Sequence, residues 1–453
     1  MRLLKLFIFI LLTSFFTFSF YVISESFAKD KNEGSENHWL KQNKKKNKKK
    51  EIVSQDHNQL SEKGDRKLVS FQFPVPDTLK PNIEFWKKIY ASYGLNERVF
   101  HDTEHLEVIY SVLNLDEIAD ENNDADPIIL PSKKERKSRI EAEKNRIRNI
   151  LLKLAEGGFD LKDLNEEEKK IYHLFDKIDE VDKFKNAAEP GRIRAQTGQK
   201  DRFIQAIQAS GAYLTEIEDI LSSHGVPYEV SRLLFVESMF NLKARSHVGA
   251  SGLWQFMPAT GRLFIKVGSL VDERNDPIIA THAAAQLLKM NLEKLGNWPL
   301  AINAYHSGTQ TLMNAKEALS TDDIGVITSQ YRGGIYKFAS RNYYAEFLAA
   351  LEIANHYKDY FGEIQRDPRF TYEVVSFESP IRLKDLVGVV GLDLETLRQM
   401  NPAYHSSFFY SQKPLPAGYE IKVPKGMGES FKKIASETAI RKEGVKIDSV
   451  SVQ

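Results

Sequence analysis

The chain has 453 residues, 42% of them hydrophobic and 28% charged, with a formal net charge of +1 and no cysteine. The length is ample for a buried core and for more than one domain. The near balance of charge argues against a nucleic-acid binder, which carries a basic excess, and the lack of cysteine removes disulfides and cysteine-linked lipid alike.

The first segment, MRLLKLFIFILLTSFFTFSFYVISESFA, places Arg2 and Lys5 before an apolar run reaching Ile23, and Ser26-Phe27-Ala28 puts small residues at the two positions signal peptidase reads. Residues 1–28 therefore read as a signal peptide, with a mature chain from Lys29 exported to the periplasm or cell envelope. The alternative is that residues 6–24 stay as an uncleaved membrane anchor. Residues 29–68 are polar and contain KKKNKKKE from Lys44 to Glu51. Too little apolar surface is available there to offset the entropy of ordering, so the segment reads as a disordered lysine-rich linker. It is either a solvated tether or an electrostatic contact with an anionic wall polymer or membrane face.

Residues 69–200 read as a helical N-terminal module. FWKKIYASYG and LEVIYSVLNLDEI carry apolar residues at helical spacing, and RKSRIEAEKNRIRNILLKLAEGG is a charged amphipathic helix. Acid–base pairs such as Glu141 with Arg146 fit its solvated face. Residues 201–365 form a run of short helices with legible ends. Asp276-Pro277 starts one and Gly296 ends it; Pro258 opens another expected to stop at Gly268; Asn297 caps a third that stops near Gly308. Small residues (Ala283 to Ala285, Ala301, Ala304) allow close helix contacts. Residues 370–426 change character: YEVVSF and YEIKVP read as strands around two short helices, RLKDLVGVVG and LETLRQMN, a β-α-α-β module. Residues 427–453 read as a flexible tail. The fold class is mainly α with this small α+β module at the C-terminal end.

In RLLFVESMFN the apolar stripe Val230, Leu233, Leu234 is followed, seven residues on from Val230, by Glu237. Desolvation disfavours the charged form of a carboxyl on a buried stripe, which suits a general acid near neutral pH. The bland alternative is a core glutamate paired with Lys243, Arg245 or Arg262. Ser238, Asn241 and SHVGASG after it should end the helix and set the carboxyl beside a cleft. GLWQFMPATGR, AYHSG with Tyr305 and His306, and SRNYYAEFLAA with Tyr343 and Tyr344 add aromatic faces and amide donors, the groups a sugar ring needs. A competing motif is His101, Glu104 and His105, an H-x-x-E-H arrangement that binds zinc in metalloproteases when it lies in a long helix. Asn96 and Thr103 argue against such a helix, and no metal or other cofactor is expected.

VESMFN, GLWQFMPATGR, DPIIATHAAAQLL, AYHSG and RNYYAEFLAA, in this order, resemble the motifs of the soluble-lytic-transglycosylase family across residues 200 to 350. FPVPDTLKPNIEFWKKIYASY and RIRAQTGQKDRF are similar to the N-terminal extension of a membrane-bound subgroup of that family. The resemblance implies a lysozyme-like helical catalytic domain acting on peptidoglycan glycan strands, at the β-1,4 bond between N-acetylmuramic acid and N-acetylglucosamine. It implies that Glu237 protonates the leaving oxygen and then acts as base on the C6 hydroxyl of the muramic sugar, giving a 1,6-anhydro end. Carried over by position, Ser238 supports the acid, Gln255, Met257 and Tyr305 line sugar subsites, and Tyr343 orients Glu237. The chain departs from the family at His306, where asparagine is usual, and protonation of that histidine at pH 6 to 7 would make binding pH-sensitive. The matched motifs hold no second acid; Glu346 falls outside the matched positions. A hydrolytic muramidase and a catalytically silent wall-binding scaffold remain as alternatives. Residues 370–426 resemble a LysM domain through LETLRQMNP and PAGYEIKVP, with Glu378-Ser379-Pro380 where Gly-Asp-Thr is usual. The module is thus either a glycan binder or a degenerate domain packed against the catalytic one.

Overall fold

A computed structural model describes residues 72–116, 132–411 and 413–447. The signal and linker segments, 1–28 and 29–68, lie outside the described residues. Among those described, no helix is long and apolar enough to cross a membrane.

Helix α1 (Lys80–Ala91) starts with a proline in its first turn and buries Ile83, Phe85, Trp86, Ile89 and Tyr90. Strands β1 (Glu97–Asp102) and β2 (Ile109–Asn114) then form an antiparallel pair. Helices α2 (Lys133–Glu156), α3 (Glu166–Leu174) and α4 (Lys183–Ala187) lead to β3 (Ile193–Thr197), which joins the other edge of β1. The sheet corrects the helical expectation for LEVIYSVLNLDEI. Leu106, Val108 and Tyr110 are buried and alternate with more exposed neighbours, a period of two that β-branched and aromatic side chains favour. Helix α2, closed by a Ser132–Glu135 capping box, lays Ile147, Ile150, Leu151 and Leu154 on Phe100, Val108 and Tyr110. On its outer face Glu141 pairs with Lys144, while Arg146 goes to Glu143 and Glu167 and not to Glu141.

The H-x-x-E-H residues do not converge. His101 lies in β1, with Nδ1 at 2.8 Å from the Asp102 carbonyl; His105 meets Glu180 at 2.9 Å; Glu104 pairs with Arg332 and Arg341. A strand cannot present the two histidines as a helix would.

Helices α5 (Lys200–Ser210) and α6 (Leu214–Ser223) precede a 3-10 turn (Tyr228–Arg232) and α7 (Leu233–Glu237). Helix α8 (Pro258–Gly261) stops well short of Gly268. Arg274 spans the carbonyls of Gly249 and Phe256, both at 2.8 Å, and its side chain packs against Gly261, so the chain folds back around it. Helix α9 (Pro277–Leu295) is capped by Asp276, which accepts from the backbone amides of Ile278 and Ile279, and is ended by left-handed Gly296. Then come α10 (Trp298–Ser307, capped by Asn297), α11 (Thr309–Leu319) and α12 (Ile324–Gln330). Helix α13 (Phe338–Asn355) is buried along much of its length and packs on α1, α7 and α10. The Asn342 side chain accepts from Asn82 and Trp86 of α1, at 2.9 and 3.2 Å.

After α14 (Tyr357–Phe361), β4 (Tyr372–Ser376), α15 (Leu383–Val390), α16 (Leu394–Met400), α17 (Ser407–Tyr410) and β5 (Glu420–Pro424) make a module with its own core, β4 and β5 pairing antiparallel. Residues 428–447, expected as flexible tail, form helix α18. Phe431 and Ile434 give it an apolar stripe against this core, and the Glu373 carboxylate accepts the amides of Gly426 and Gly428 at its start. The module is docked on α9: buried Lys422 of β5 reaches both oxygens of buried Asp276, at 2.7 and 2.5 Å. Backbone bonds from Asp272 to Ala403 and from His405 to Leu270 flank that pair.

Removing one partner of a buried pair leaves an uncompensated charge. Lys422→Ala should lower unfolding stability in urea by about 3 kcal/mol. A loss under about 1 kcal/mol would mean the pair is not a significant contributor to stability.

Candidate active site

The site begins with how α7 ends. After Glu237 the backbone turns through Ser238 into Met239 and Phe240, both left-handed at φ 50° and 53°. Each left-handed non-glycine residue costs roughly 1 kcal/mol, so the turn needs an anchor. The anchor is Phe240, buried against Phe235 at 4.9 Å between ring centres. The helix therefore stops with its last side chain, Glu237, at the edge of the core.

The next loop depends on Gly252 (φ 79°). A Cβ there would stand 1.9 Å from the Arg274 carbonyl oxygen, so only glycine fits. Gln255 is also left-handed at φ 47°; its amide donates to the carbonyls of Ala244 (3.1 Å) and Gly252 (2.7 Å). Met257 follows, half-buried, as the N-cap of α8.

Helix α13 supplies the partner of Glu237. Buried Tyr343 donates its hydroxyl to Glu237 Oε1, and among the described residues Glu237 has no basic partner. The alternative pairing with Lys243, Arg245 or Arg262 is absent among the described residues, and Arg262 instead leans toward the Val267 carbonyl at 3.4 Å. Burial raises the Glu237 carboxyl to about 7, the Tyr343 bond pulling the other way. Near neutral pH both its protonated and ionised forms are populated. Tyr305 of α10 donates to the Trp254 carbonyl at 2.8 Å, and burial, reinforced by the nearby Glu237, holds its own proton on well beyond the usual range. His306 stacks on Tyr343 at 4.9 Å between ring centres.

The structure thus gathers Glu237, Tyr343, Tyr305 and His306, and sets Gln255 on the loop that Trp254 joins to Tyr305. Ser238 does not touch the acid; its hydroxyl donates to the Leu234 carbonyl at 3.3 Å. The expected protonation of His306 at pH 6 to 7 is corrected too. Burial lowers that imidazole to about 4, so it stays neutral across the range. Sequence reasoning missed Tyr90 and set Glu346 aside as outside the matched positions; the two are joined by a 3.4 Å hydrogen bond. The available signal was spacing, since Glu346 follows Tyr343 by three residues on one helix. No group of three or more His, Asp or Glu among the described residues is arranged to hold a metal ion.

A carboxyl that holds its proton near neutrality, oriented by a tyrosine and without a counterion, is the equipment of a general-acid enzyme. Residues 217–325 match the Transglycosylase SLT domain. It is 27% identical over 224 residues to membrane-bound lytic murein transglycosylase D of Escherichia coli K12, covering 47% of this chain and 46% of that protein. A transglycosylase of Enterobacteria phage PRD1 is 39% identical over 83 residues, 18% of this chain and 29% of its own. The chain spans about half the length, or less, of these curated relatives. Among solved structures, the 70 kDa soluble lytic transglycosylase of Escherichia coli overlaps 52% of this chain and 46% of its own, at 15% identity and a TM-score of 0.29. That score is too low for the overlap to bear on the site.

The Tyr343 hydrogen bond favours the ionised form of Glu237, so its loss must raise the carboxyl further. Carbon-13 NMR titrations of wild type and Tyr343→Phe should place Glu237 higher in the variant than in the wild type. A fall would show that the hydroxyl is not its partner in solution.

Proposed function

We propose that the protein is an exported peptidoglycan lytic transglycosylase with Glu237 as its acid and base. The observation that carries this reading is the uncountered Glu237 carboxyl, inside the span matched to the Transglycosylase SLT domain and held by Tyr343 from beyond that span. Protonated Glu237 gives its proton to the oxygen linking N-acetylmuramic acid to N-acetylglucosamine as that bond breaks. The resulting carboxylate takes the proton of the muramic C6 hydroxyl, whose oxygen closes on C1. The bond cleaved and the bond formed balance without water, and the product ends in a 1,6-anhydro ring. A nucleophile already within the substrate stands in for the water that a second carboxylate normally directs.

A group near 7 has the right affinity to give and regain a proton in one cycle. Tyr343 fixes the direction of its lone pairs. Gln255, Met257 and Tyr305 are proposed to line the sugar subsites, with neutral His306 as an uncharged wall beside Tyr343; Ser238 is proposed to act only through the turn that ends α7. The domain division near residues 365–370 is part of the proposal, with the C-terminal module a docked support for α9. The substrate places the enzyme in the cell envelope; whether residues 1–28 are removed or retained decides if it is released or membrane-tied.

Digestion of purified peptidoglycan by the mature protein should give muropeptides with 1,6-anhydro-muramic ends in mass spectrometry. Glu237→Gln should lose at least about 10²-fold in rate with an unchanged circular-dichroism spectrum. Products with reducing muramic ends would replace this reading with a hydrolase, and no products at all with a wall-binding scaffold.

A further inference from the structure

Three consecutive residues of α13 are each tied to a different element. Arg341 gives its guanidinium to both oxygens of Glu104, in the turn after β1, each at 2.6 Å. The side-chain oxygen of buried Asn342 accepts from Asn82 at 2.9 Å and from Trp86 at 3.2 Å, both on α1. Tyr343 gives its hydroxyl to Glu237 at the end of α7. Neighbouring residues on an α-helix point about 100° apart. The first two ties therefore hold α13 from two directions and fix the direction in which the third residue points.

The hold on Asn342 is chemically specific. The Trp86 indole can only donate, so the atom it meets must be the amide oxygen, and both lone pairs of that oxygen are then taken. The amide nitrogen donates back along the helix to the Phe338 carbonyl at 2.9 Å. Asn342 cannot turn over without breaking three hydrogen bonds in a buried place. Asn82 and Trp86 stand four residues apart, so one face of α1 supplies both donors. The Tyr343 hydroxyl lies at the far end of a long side chain, and a slight rotation of α13 about its axis carries it out of hydrogen-bond reach of Glu237. Helix α1, Glu104 and α13 all lie outside residues 217–325.

We propose that Asn342 is a positioning residue: clasped by Asn82 and Trp86, it sets the rotation of α13 at which Tyr343 meets Glu237, which makes α1 part of the catalytic unit. The inference rests on the transglycosylase reading for its activity readout, but not for its titration readout.

A clasp that only stabilises the fold and a clasp that positions Tyr343 differ in what they do to Glu237. The Tyr343 bond favours the ionised carboxyl, so a displaced Tyr343 leaves Glu237 holding its proton more tightly. Tyr90, Tyr305 and Tyr343 stay un-ionised and His306 stays neutral, so the carboxyls of Glu237 and Glu346 are the groups that titrate here near neutrality. The signal missing from Glu237→Gln tells the two apart.

The test uses two variants of the full chain. Trp86→Phe keeps an aromatic ring and removes its donor, and Asn82→Ala removes the other donor at the half-buried edge of the clasp. Carbon-13 NMR should place Glu237 higher in both than in wild type, the direction expected for Tyr343→Phe. On soluble, uncross-linked glycan strands, kcat of Trp86→Phe should fall about tenfold with KM within about twofold, since what is lost is orientation and not binding. Added to Tyr343→Phe, the same change should alter kcat by no more than about twofold, because the group it positioned is already gone. A Glu237 titration that stays at the wild-type position in both variants would overturn the proposal in favour of a structural clasp. So would an undiminished tenfold loss in the Tyr343→Phe background, or loss of the native circular-dichroism spectrum in both variants. Absence of anhydro products from wild type would sink the transglycosylase reading and leave the titrations to decide the clasp.

Discussion

The site depends on a carboxyl kept out of water without a counterion. Glu237 has a single donor, Tyr343, and the surroundings resist its charge. Such a group is unfavourable for folding. Its native state holds a proton more tightly than the unfolded chain, so the stability of the fold declines as pH rises from the ordinary glutamate value toward 7. The rest of the domain must carry that burden, and the packing of α13 is where it does so. This helix is fixed from one side by Asn82 and Trp86 through Asn342, and from another by α7 and α10.

The N-terminal segment contributes to that wall directly. Tyr90 lies on the helix that also holds Asn342, and Arg194 comes from the last strand of the three-stranded sheet. Glu104, in the turn after β1, pairs with Arg332 and with Arg341, beside Asn342 on α13. The sheet is therefore continuous with the structure that presents Tyr343 and Glu346, although it lies outside the span matched to the Transglycosylase SLT domain.

Much of this was legible in the sequence because helix ends are chemically marked. Asp276-Pro277, Asn297 and Gly296 set boundaries that the backbone keeps, and the stripe through Val230, Leu233 and Leu234 placed Glu237 at a helix end. The strand at Ile109–Asn114 was misread because its apolar residues satisfy helical spacing as well as alternation, and only the pairing with β1 decides between them. Helix α8 ended early for a reason invisible locally, the long reach of Arg274. His306 keeps its neutral form because the tertiary fold buries it, which no local pattern encodes. Glu346 was passed over because motif matching reads positions in a line, whereas the face of a helix brings i and i+3 together.

Asp276 holds two posts at once. One of its oxygens closes the start of α9, and both oxygens receive Lys422 from the C-terminal module. This ties the module to its host in a way that a flexible linker would not. Exchanging it for a homologous cassette without a lysine at that position would strand a negative charge at the head of the domain's longest helix. The module is thus not a portable attachment, and any recombination across residues 365–370 must carry Lys422 and Asp276 together or replace both.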